Sequence, residues 1–141
     1  MLRDELQADP AGLGYDLADP AQVERLINAP SRTRMVATEV GKGDAINVLG
    51  LDVGNALCDM IDAQAEFRHV RHLLEQGRLR LDYAITQGVL ASLLGVEMAA
   101  GVTFTADDLA RLNALATQPC SRADELGLGP VTDAMIREAL Q

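Results

Sequence analysis

The sequence predicts a mainly α protein, and three observations predict it. Of the 141 residues, 48% are apolar but only 3% are aromatic, so the core must be aliphatic, whereas strands favour aromatic residues. Apolar residues recur at helical spacing along much of the chain. Helix-capping residues stand in front of several of these runs. We expect a single helical domain over 1–141: a small bundle of short helices with one extended arm or single strand near 31–40.

Residues 1–30 are predicted to form two short helices and a loop. The first helix covers 2–7 and ends at Asp9-Pro10, because proline cannot continue a helix. The second begins at Asp19-Pro20, with Asp as the cap and Pro at the first helical position. Its apolar stripe is formed by Val23, Leu26 and Ile27.

Residues 31–43 differ from their surroundings and are predicted to form an extended arm. The segment from Arg32 to Val40 is β-branched, with partial polar and apolar alternation, and Gly41-Lys42-Gly43 closes it. A single strand cannot form a sheet, and an unpaired strand edge is a template for another chain. We therefore expect Arg32, Arg34 and Lys42 to contact a neighbouring subunit or a partner protein.

Residues 44–141 are predicted to form a helical body. One helix begins at Leu51, a second ends at Gly77, and a third is capped by Asp82 and ends at Gly95. Their apolar stripes are Val53, Leu57, Met60 and Ile61, then Phe67, Val70, Leu73 and Leu74, then Ile85, Val89, Leu90, Leu93 and Leu94. Three short helices follow, with the caps Thr105, Ser121 and Thr132. Asp108 and Asp124 follow the first two caps at capping-box spacing.

Charge alternates along the chain in bands. The net charge is −9, which argues against sequence-independent DNA binding over the whole surface. Residues 44–62 hold four Asp and no base, whereas residues 63–80 hold four Arg against two Glu. Arginine pairs with carboxylates through two parallel hydrogen bonds, which suits an interface. The sequence therefore predicts a protein interface at Arg68, Arg71, Arg78 and Arg80; the alternative interpretation is a solvated helix face.

No pattern in the sequence indicates catalysis, a metal or a cofactor. His69 and His72 could share a metal, but they lack a third ligand at a recognised spacing. The lysine at 42 is not in a P-loop pattern. Cys58 and Cys120 form no CxxC pair. The final helix, Asp133–Leu140, carries one Arg against two acids, which is poorly suited to reading DNA. We expect no enzyme, no cofactor, no membrane contact and no sequence-specific nucleic acid.

Segments at both ends of the chain resemble a group of small proteins from tailed bacteriophages and prophages. At the start these are Asp9-Pro10-Ala11-Gly12-Leu13-Gly14-Tyr15 and Leu26-Ile27-Asn28. At the end they are the segment from Leu109 to Leu115, Pro119-Cys120-Ser121-Arg122-Ala123-Asp124-Glu125-Leu126-Gly127, Val131-Thr132-Asp133 and Ala139-Leu140. The extended stretch from Arg32 to Val40 also has a counterpart there. The resemblance is loose in the middle of the chain, and residues 41–50 depart from it.

The resemblance implies a non-enzymatic structural component of a virion, made in the cytoplasm of the bacterial host. The most specific role that the resemblance implies is that of a head–tail connector. Such an adaptor or neck subunit self-associates as a ring and contacts portal, neck or tail proteins. A minor tail protein or a capsid-associated protein is the alternative within the virion. A small acidic regulatory binding protein is the alternative from another class.

Overall fold

The computed structural model describes all 141 residues. It is 57% helical, with nine helices and a few short antiparallel strand pairs, so helix predominates as predicted, although the chain also contains strands. The helices are α1 Leu2–Ala8, α2 Pro20–Asn28, α3 Lys42–Leu49, α4 Leu51–Ala63, α5 Arg68–Glu75, α6 Ala84–Leu93, α7 Ala106–Asn113, α8 Arg122–Glu125 and α9 Asp133–Ala139. The strands are β1 Arg32–Met35, β2 Glu39–Val40, β3 Leu79–Arg80, β4 Glu97–Ala99, β5 Val102–Thr103 and β6 Thr117–Cys120.

The prediction of one unpaired strand near 31–40 is wrong. Two strands lie there, and each has a partner within the chain: β1 pairs with β6, and β2 pairs with β3. In the second pair, Glu39 is opposite Arg80 and Val40 is opposite Leu79 in antiparallel register. The partner strands could not be recognised because two to four residues are too few to show a period. The segment is therefore not a free arm.

The chain forms two compact units, which we describe separately. Unit 1 contains Met1–Arg34 and Pro119–Gln141, and unit 2 contains Met35–Gln118. The chain passes from unit 1 to unit 2 within β1 and returns within β6. The assignment of the whole chain to one domain stays a prediction.

Unit 1 is built from helices at both ends of the chain. Helix α2 packs against α8 and α9, and α1 packs against α9. The fully buried side chains of this core are aliphatic, as the composition required. They are Leu6, Val23, Ile27, Ala123, Val131 and Ile136. Removing such side chains from water supplies the main favourable term for folding.

Unit 2 holds helices α3 to α7 around a second aliphatic core. Helix α4 contacts α3 most extensively and also packs against α5. Phe104 is the one aromatic residue that is fully buried there. The core encloses a void of about 10 Å³, lined by apolar residues that include Leu57, Cys58 and Leu90. A space of that size is close to the smallest that could hold one water molecule.

Helix α3 was not predicted from the sequence, and its packing against α4 depends on a glycine. A methyl group at Gly54 would lie 2.6 Å from the Cα of Ile46, closer than two carbon atoms can approach without displacement. Only Gly50 separates the two helices, and its φ is +86°, in the left-handed region that favours glycine. Gly43 lies inside this short helix, and Gly41 and Gly50 flank it. Because glycine disfavours helix, the sequence of 42–49 does not show a clear helical pattern.

The predicted helix caps are confirmed at four positions. The side chains of Asp19, Thr105, Ser121 and Thr132 each accept a hydrogen bond from a backbone N–H in the first turn of the following helix. Thr105 and Ser121 form complete capping boxes with their acidic partners. These signals are local in sequence, and for that reason they could be recognised without knowledge of the fold.

The sequence interpretation of helix α6 needs two corrections. Asp82 does not cap it: the N-cap is Tyr83, and the Asp82 carboxylate binds Arg80 instead. Ile85 is not a core residue, because 77% of it is exposed to solvent, and Leu94 is 38% exposed. The periodic spacing of apolar residues predicts which of them share a face of the helix. It does not show whether another element covers that face, and none covers Ile85.

None of the nine helices is both long enough and apolar enough to span a lipid bilayer.

Candidate functional site

Most of the end segments named above lie in unit 1, which contains a buried ion pair, whereas segment 109–115 lies in unit 2. The Arg122 guanidinium donates from Nε and Nη2 to the two carboxylate oxygens of Glu5, at 2.8 and 2.9 Å. The hydroxyl of Tyr15 donates to the same carboxylate at 3.2 Å. The Glu5 side chain is only 3% exposed, and the hydrogen bond from Arg122 lowers its pKa. One network thus joins residues of the first and last motifs.

Asp9 organises the loop that follows α1. Its carboxylate accepts hydrogen bonds from the backbone N–H groups of Leu13 and Gly14, both at 2.8 Å. Burial raises the pKa of Asp9, but the backbone donors outweigh burial, and its pKa is lowered. The Asp-Pro-x-Gly-x-Gly pattern therefore has a structural explanation, since its first residue binds the backbone of its last ones.

Asn28 connects the end of α2 to the segment before α9. Its Nδ2 donates to the carbonyl oxygen of Val131 at 2.7 Å, and its Oδ1 accepts from the Val131 N–H at 2.9 Å. Val131 is buried, so both of its backbone groups need partners inside the protein. The carboxamide suits this role because its NH2 group donates while its carbonyl oxygen accepts.

The predicted interface residues Arg32 and Arg34 lie on β1, where the structure gives them different environments. Arg32 is half-buried and forms an ion pair with Glu125, which also contacts Arg122. Arg34 is exposed. Hydrogen bonds within the Ser121 capping box lower the pKa of Asp124, and the positive charge of Arg34 adds to that effect. Of these two arginines, only Arg34 remains accessible to another molecule.

Lys42, the third predicted contact of the arm, is held inside unit 2. Its Nζ lies 3.0 Å from an Asp62 carboxylate oxygen and 3.9 Å from a Glu75 carboxylate oxygen. The hydrogen bond to Asp62 raises the pKa of Lys42. The lysine therefore joins α3, α4 and α5, and the carboxylates of Asp62 and Glu75 neutralise its charge within the unit.

Arg68 and Arg71 share one face of α5, as their spacing predicts. The buried residues of the helix are Val70 and Leu74; at 100° per residue Arg68 lies well away from both of them, whereas Arg71 lies at the edge of the buried side. Arg68 is exposed, forms no ion pair and donates from Nη1 to the carbonyl oxygen of Ala65 at 3.4 Å. Arg71 is half-buried and donates to the carbonyl oxygen of Asp62 at 3.3 Å. Arg68 is thus the freer of the two charges.

Arg78 and Arg80 also differ. Arg80 binds both carboxylate oxygens of Asp82, at 2.7 and 2.6 Å, and its guanidinium lies 4.6 Å from the centre of the Tyr83 ring. The Asp82 carboxylate raises the pKa of Arg80. Arg78 is exposed and forms no ion pair. We call the exposed or half-exposed residues Arg68, Arg71 and Arg78 the basic surface of unit 2.

An acidic surface lies on the same unit. Asp52 and Asp59 are exposed on α4, whereas Asp62 of that helix binds Lys42. No cation of the chain pairs with Asp52 or Asp59. We call these two residues the acidic surface of unit 2. The basic surface of one copy of the chain and the acidic surface of another copy have opposite charges and would attract each other.

The side chains that bind metals or act as thiol nucleophiles elsewhere are His, Cys, Asp and Glu, and their placement in this chain is as follows. No group of three or more His, Cys, Asp and Glu side chains is placed to hold a metal ion. Cys58 and Cys120 are both buried and free. Burial raises the pKa of the Cys58 thiol, which disfavours the reactive thiolate.

The chain was compared with protein-family models, with curated proteins and with solved structures. None of them matches.

Two features of the structure were missed from the sequence. The Glu5–Arg122 pair joins residues too distant in the chain for any local pattern to link them. The exposed face of α6 did have a signal: no charged residue occurs between Asp82 and Glu97. An uncharged helix is more often buried than exposed, however, so this signal does not by itself indicate an exposed face.

Proposed function

We propose that this chain is a non-enzymatic structural component of a tailed-phage virion, and specifically a subunit of the head–tail connector ring. The observation that carries the proposal is the placement of the motifs that resemble phage proteins. Glu5 on α1 and Asn28 at the end of α2 join the start of the chain to its last twenty-odd residues in unit 1, through Arg122 and Val131. Asp9 fixes the loop between these two helices. We interpret motifs whose side chains hold the fold together in this way as parts of a structural scaffold.

The charge distribution of unit 2 supports self-association. The basic surface and the acidic surface occupy different helices, α5 with the segment after it and α4. Contact between the basic surface of one copy and the acidic surface of the next is heterologous, and such contacts form a ring when the rotation between neighbouring copies closes. Exposed ion pairs contribute only about 0.2–1 kcal/mol each. These pairs would therefore set the orientation of neighbouring subunits, while affinity would come from apolar contacts.

The location of the protein tests the proposal directly. Phage particles are purified from a strain that expresses the chain with a small epitope tag, and gold-labelled antibody is imaged by electron microscopy. Label at the junction of head and tail is the expected result. Label along the tail or on the capsid favours the alternative of a minor tail or capsid-associated protein.

The protein content of the same particles tests whether the chain is a virion component or a regulatory protein. Mass spectrometry should find the chain in purified virions at several copies per particle. A chain that is present in the infected cell and absent from purified particles contradicts the proposal. That outcome favours the alternative of a small acidic regulatory protein.

A further inference from the structure

The two histidines of the chain lie together on the exposed side of α5. They are His69 and His72, and the chain has no other. Both side chains are exposed, as are those of Arg68 and Gln76. At 100° per residue these four positions fall within about 100° of the helix circumference, on the side away from the buried residues of the helix. We call His69 and His72 the histidine pair.

Protonation of the histidine pair changes the charge of the chain in mildly acidic solution. Histidine is the side chain whose ordinary pKa places its change of charge between pH 5 and pH 8. Carboxyl groups ordinarily titrate near pH 4. Burial raises the pKa of the Cys58 thiol, so this group stays neutral. Acidification from about pH 7 to about pH 5.5 therefore adds positive charge at one place on the surface, the exposed side of α5.

The elements around α5 leave both imidazoles without an ionic partner. Helix α5 packs against α4, β3 and the turn 65–67. Outside the acidic surface, the ionisable side chains of these elements and of α5 itself are Cys58, Asp62, Glu66, Arg68, Arg71, Glu75 and Arg80. Asp62 and Glu75 lie beside Lys42, and Arg80 binds Asp82. None of the ion pairs of the chain includes a histidine, so either ring can take up a proton without breaking one.

The one hydrogen bond to the histidine pair is compatible with both protonation states. The Nε2 atom of Gln76 lies 3.1 Å from the Nε2 atom of His72. With a neutral ring, the amide N–H donates to the ring nitrogen. When the ring is protonated, its own N–H donates, and the amide of Gln76 can turn its oxygen to accept. Gln76 is exposed, so packing does not restrict this rotation.

We infer that the histidine pair makes the contact between the basic surface of one copy and the acidic surface of the next depend on pH, tighter in mildly acidic solution than at neutral pH. The inference rests on the proposed self-association through these two surfaces. Protonation adds two positive charges beside Arg68. In the contact they would meet Asp52 and Asp59, which no cation of their own chain neutralises and which stay ionised at about pH 5.5. Complementary charge across an interface favours association.

The self-association of the purified full chain tests the inference. Sedimentation velocity over a range of concentrations gives the dissociation constant at about pH 7 and at about pH 5.5, with the salt concentration held low and equal. Because exposed ion pairs are individually weak, we expect the dissociation constant to be about threefold lower, or more, at the acidic pH. In about 1 M salt the difference should disappear, since screening removes the attraction between exposed charges.

A variant that moves the two histidines is the matched control. It combines His69→Gln and His72→Gln with Gln7→His and Gln141→His, and both of these glutamines are exposed in unit 1. The amino-acid composition is unchanged, so acidification reduces the net negative charge of this variant as it does that of the original chain. Its dissociation constant should nevertheless depend little on pH. If the variant shows the original pH dependence, the position of the histidines does not matter and the inference is overturned. Circular dichroism should show it folded.

Two complementary variants isolate a single contact. The first, Asp52→Asn with Asp59→Asn, keeps the histidine pair and lacks the acidic surface. The second, Arg68→Glu with His69→Gln and His72→Gln, keeps the acidic surface. Each variant alone should self-associate less than the original chain at about pH 5.5. Mixed together they should form a one-to-one complex, which should be tighter at the acidic pH than at neutral pH.

The outcomes separate this inference from the proposed function. A one-to-one complex with equal dissociation constants at the two pH values overturns the inference and leaves the proposed contact in place. A mixture that does not associate at either pH overturns the inference together with that contact. Detection of the chain at the junction of head and tail depends on neither result.

Discussion

Arg122 holds both carboxylate oxygens of Glu5, which precedes it by 117 positions in the chain. The pair joins α1 to α8 in unit 1, and both side chains are largely withdrawn from water, with exposures of 17% and 3%. Breaking a buried pair by removing one partner leaves an uncompensated charge, which costs more than the pair itself contributes.

We therefore expect strong coupling between substitutions at this pair. Glu5→Leu or Arg122→Met alone should each lower the free energy of unfolding by about 3–5 kcal/mol. The double variant should lose much less, because no charge is then buried without a partner. Urea denaturation of the four proteins measures the coupling. Losses that simply add would contradict the buried pair.

The Glu5 carboxyl also predicts acid sensitivity. Its pKa in the folded chain lies below its ordinary value of 4.5, mainly because of the hydrogen bond from Arg122. A group with a lowered folded pKa stabilises the fold above its unfolded pKa, and this contribution is lost as the pH falls through the folded pKa. In Glu5→Gln the free energy of unfolding should fall less steeply between about pH 5 and pH 2. Identical slopes in the two proteins would rule out this role for Glu5.

Both the NH2 group and the carbonyl oxygen of the Asn28 side chain should contribute to the stability of the fold. Asn28→Ala leaves the buried N–H and carbonyl oxygen of Val131 without partners, at a cost of about 1–3 kcal/mol. Asn28→Asp is the informative comparison, because a carboxylate can accept from the N–H but cannot donate to the carbonyl oxygen. It should also be destabilising. Thermal melts at neutral pH measure both variants, and an unchanged melting temperature in Asn28→Ala would be the contrary result.

Two helical glycines should respond in opposite directions to the same substitution. Gly54→Ala places a methyl group 2.6 Å from the Cα of Ile46, so α3 and α4 must separate, and we expect a loss of about 1–3 kcal/mol. Gly88→Ala meets nothing within 4 Å, and alanine is the better helix former, so we expect a gain of about 0.5–1 kcal/mol. Chemical denaturation of dilute protein provides the test. Equal effects at the two positions would contradict the packing of α3 on α4.

Arg68 is the residue of the basic surface best suited to a test of ring assembly. It is exposed and forms no ion pair, whereas Arg71 binds a backbone carbonyl. Arg68→Glu should reduce incorporation of the chain into phage particles while its unfolding free energy changes by less than about 0.5 kcal/mol. Arg25→Glu, an exposed arginine on α2, is the control. Normal incorporation of Arg68→Glu would identify α5 as a solvated helix face.

The sequence by itself determined the helical class and the positions where several helices begin. Thr105 and Ser121 could be identified as caps because a capping box is complete within four residues. The opposed faces of α5 were equally accessible, since Val70 and Leu74 repeat at helical spacing. In each case the interacting groups are close in the chain.

Only the tertiary structure decided which charges and apolar faces are free. Arg32 and Lys42 were expected to reach another molecule, yet their partners Glu125 and Asp62 lie in other elements of the same chain. Ile85 has the periodicity of a core residue and is exposed. Periodicity states which residues share a face of a helix, but whether another element covers that face depends on contacts between distant parts of the chain.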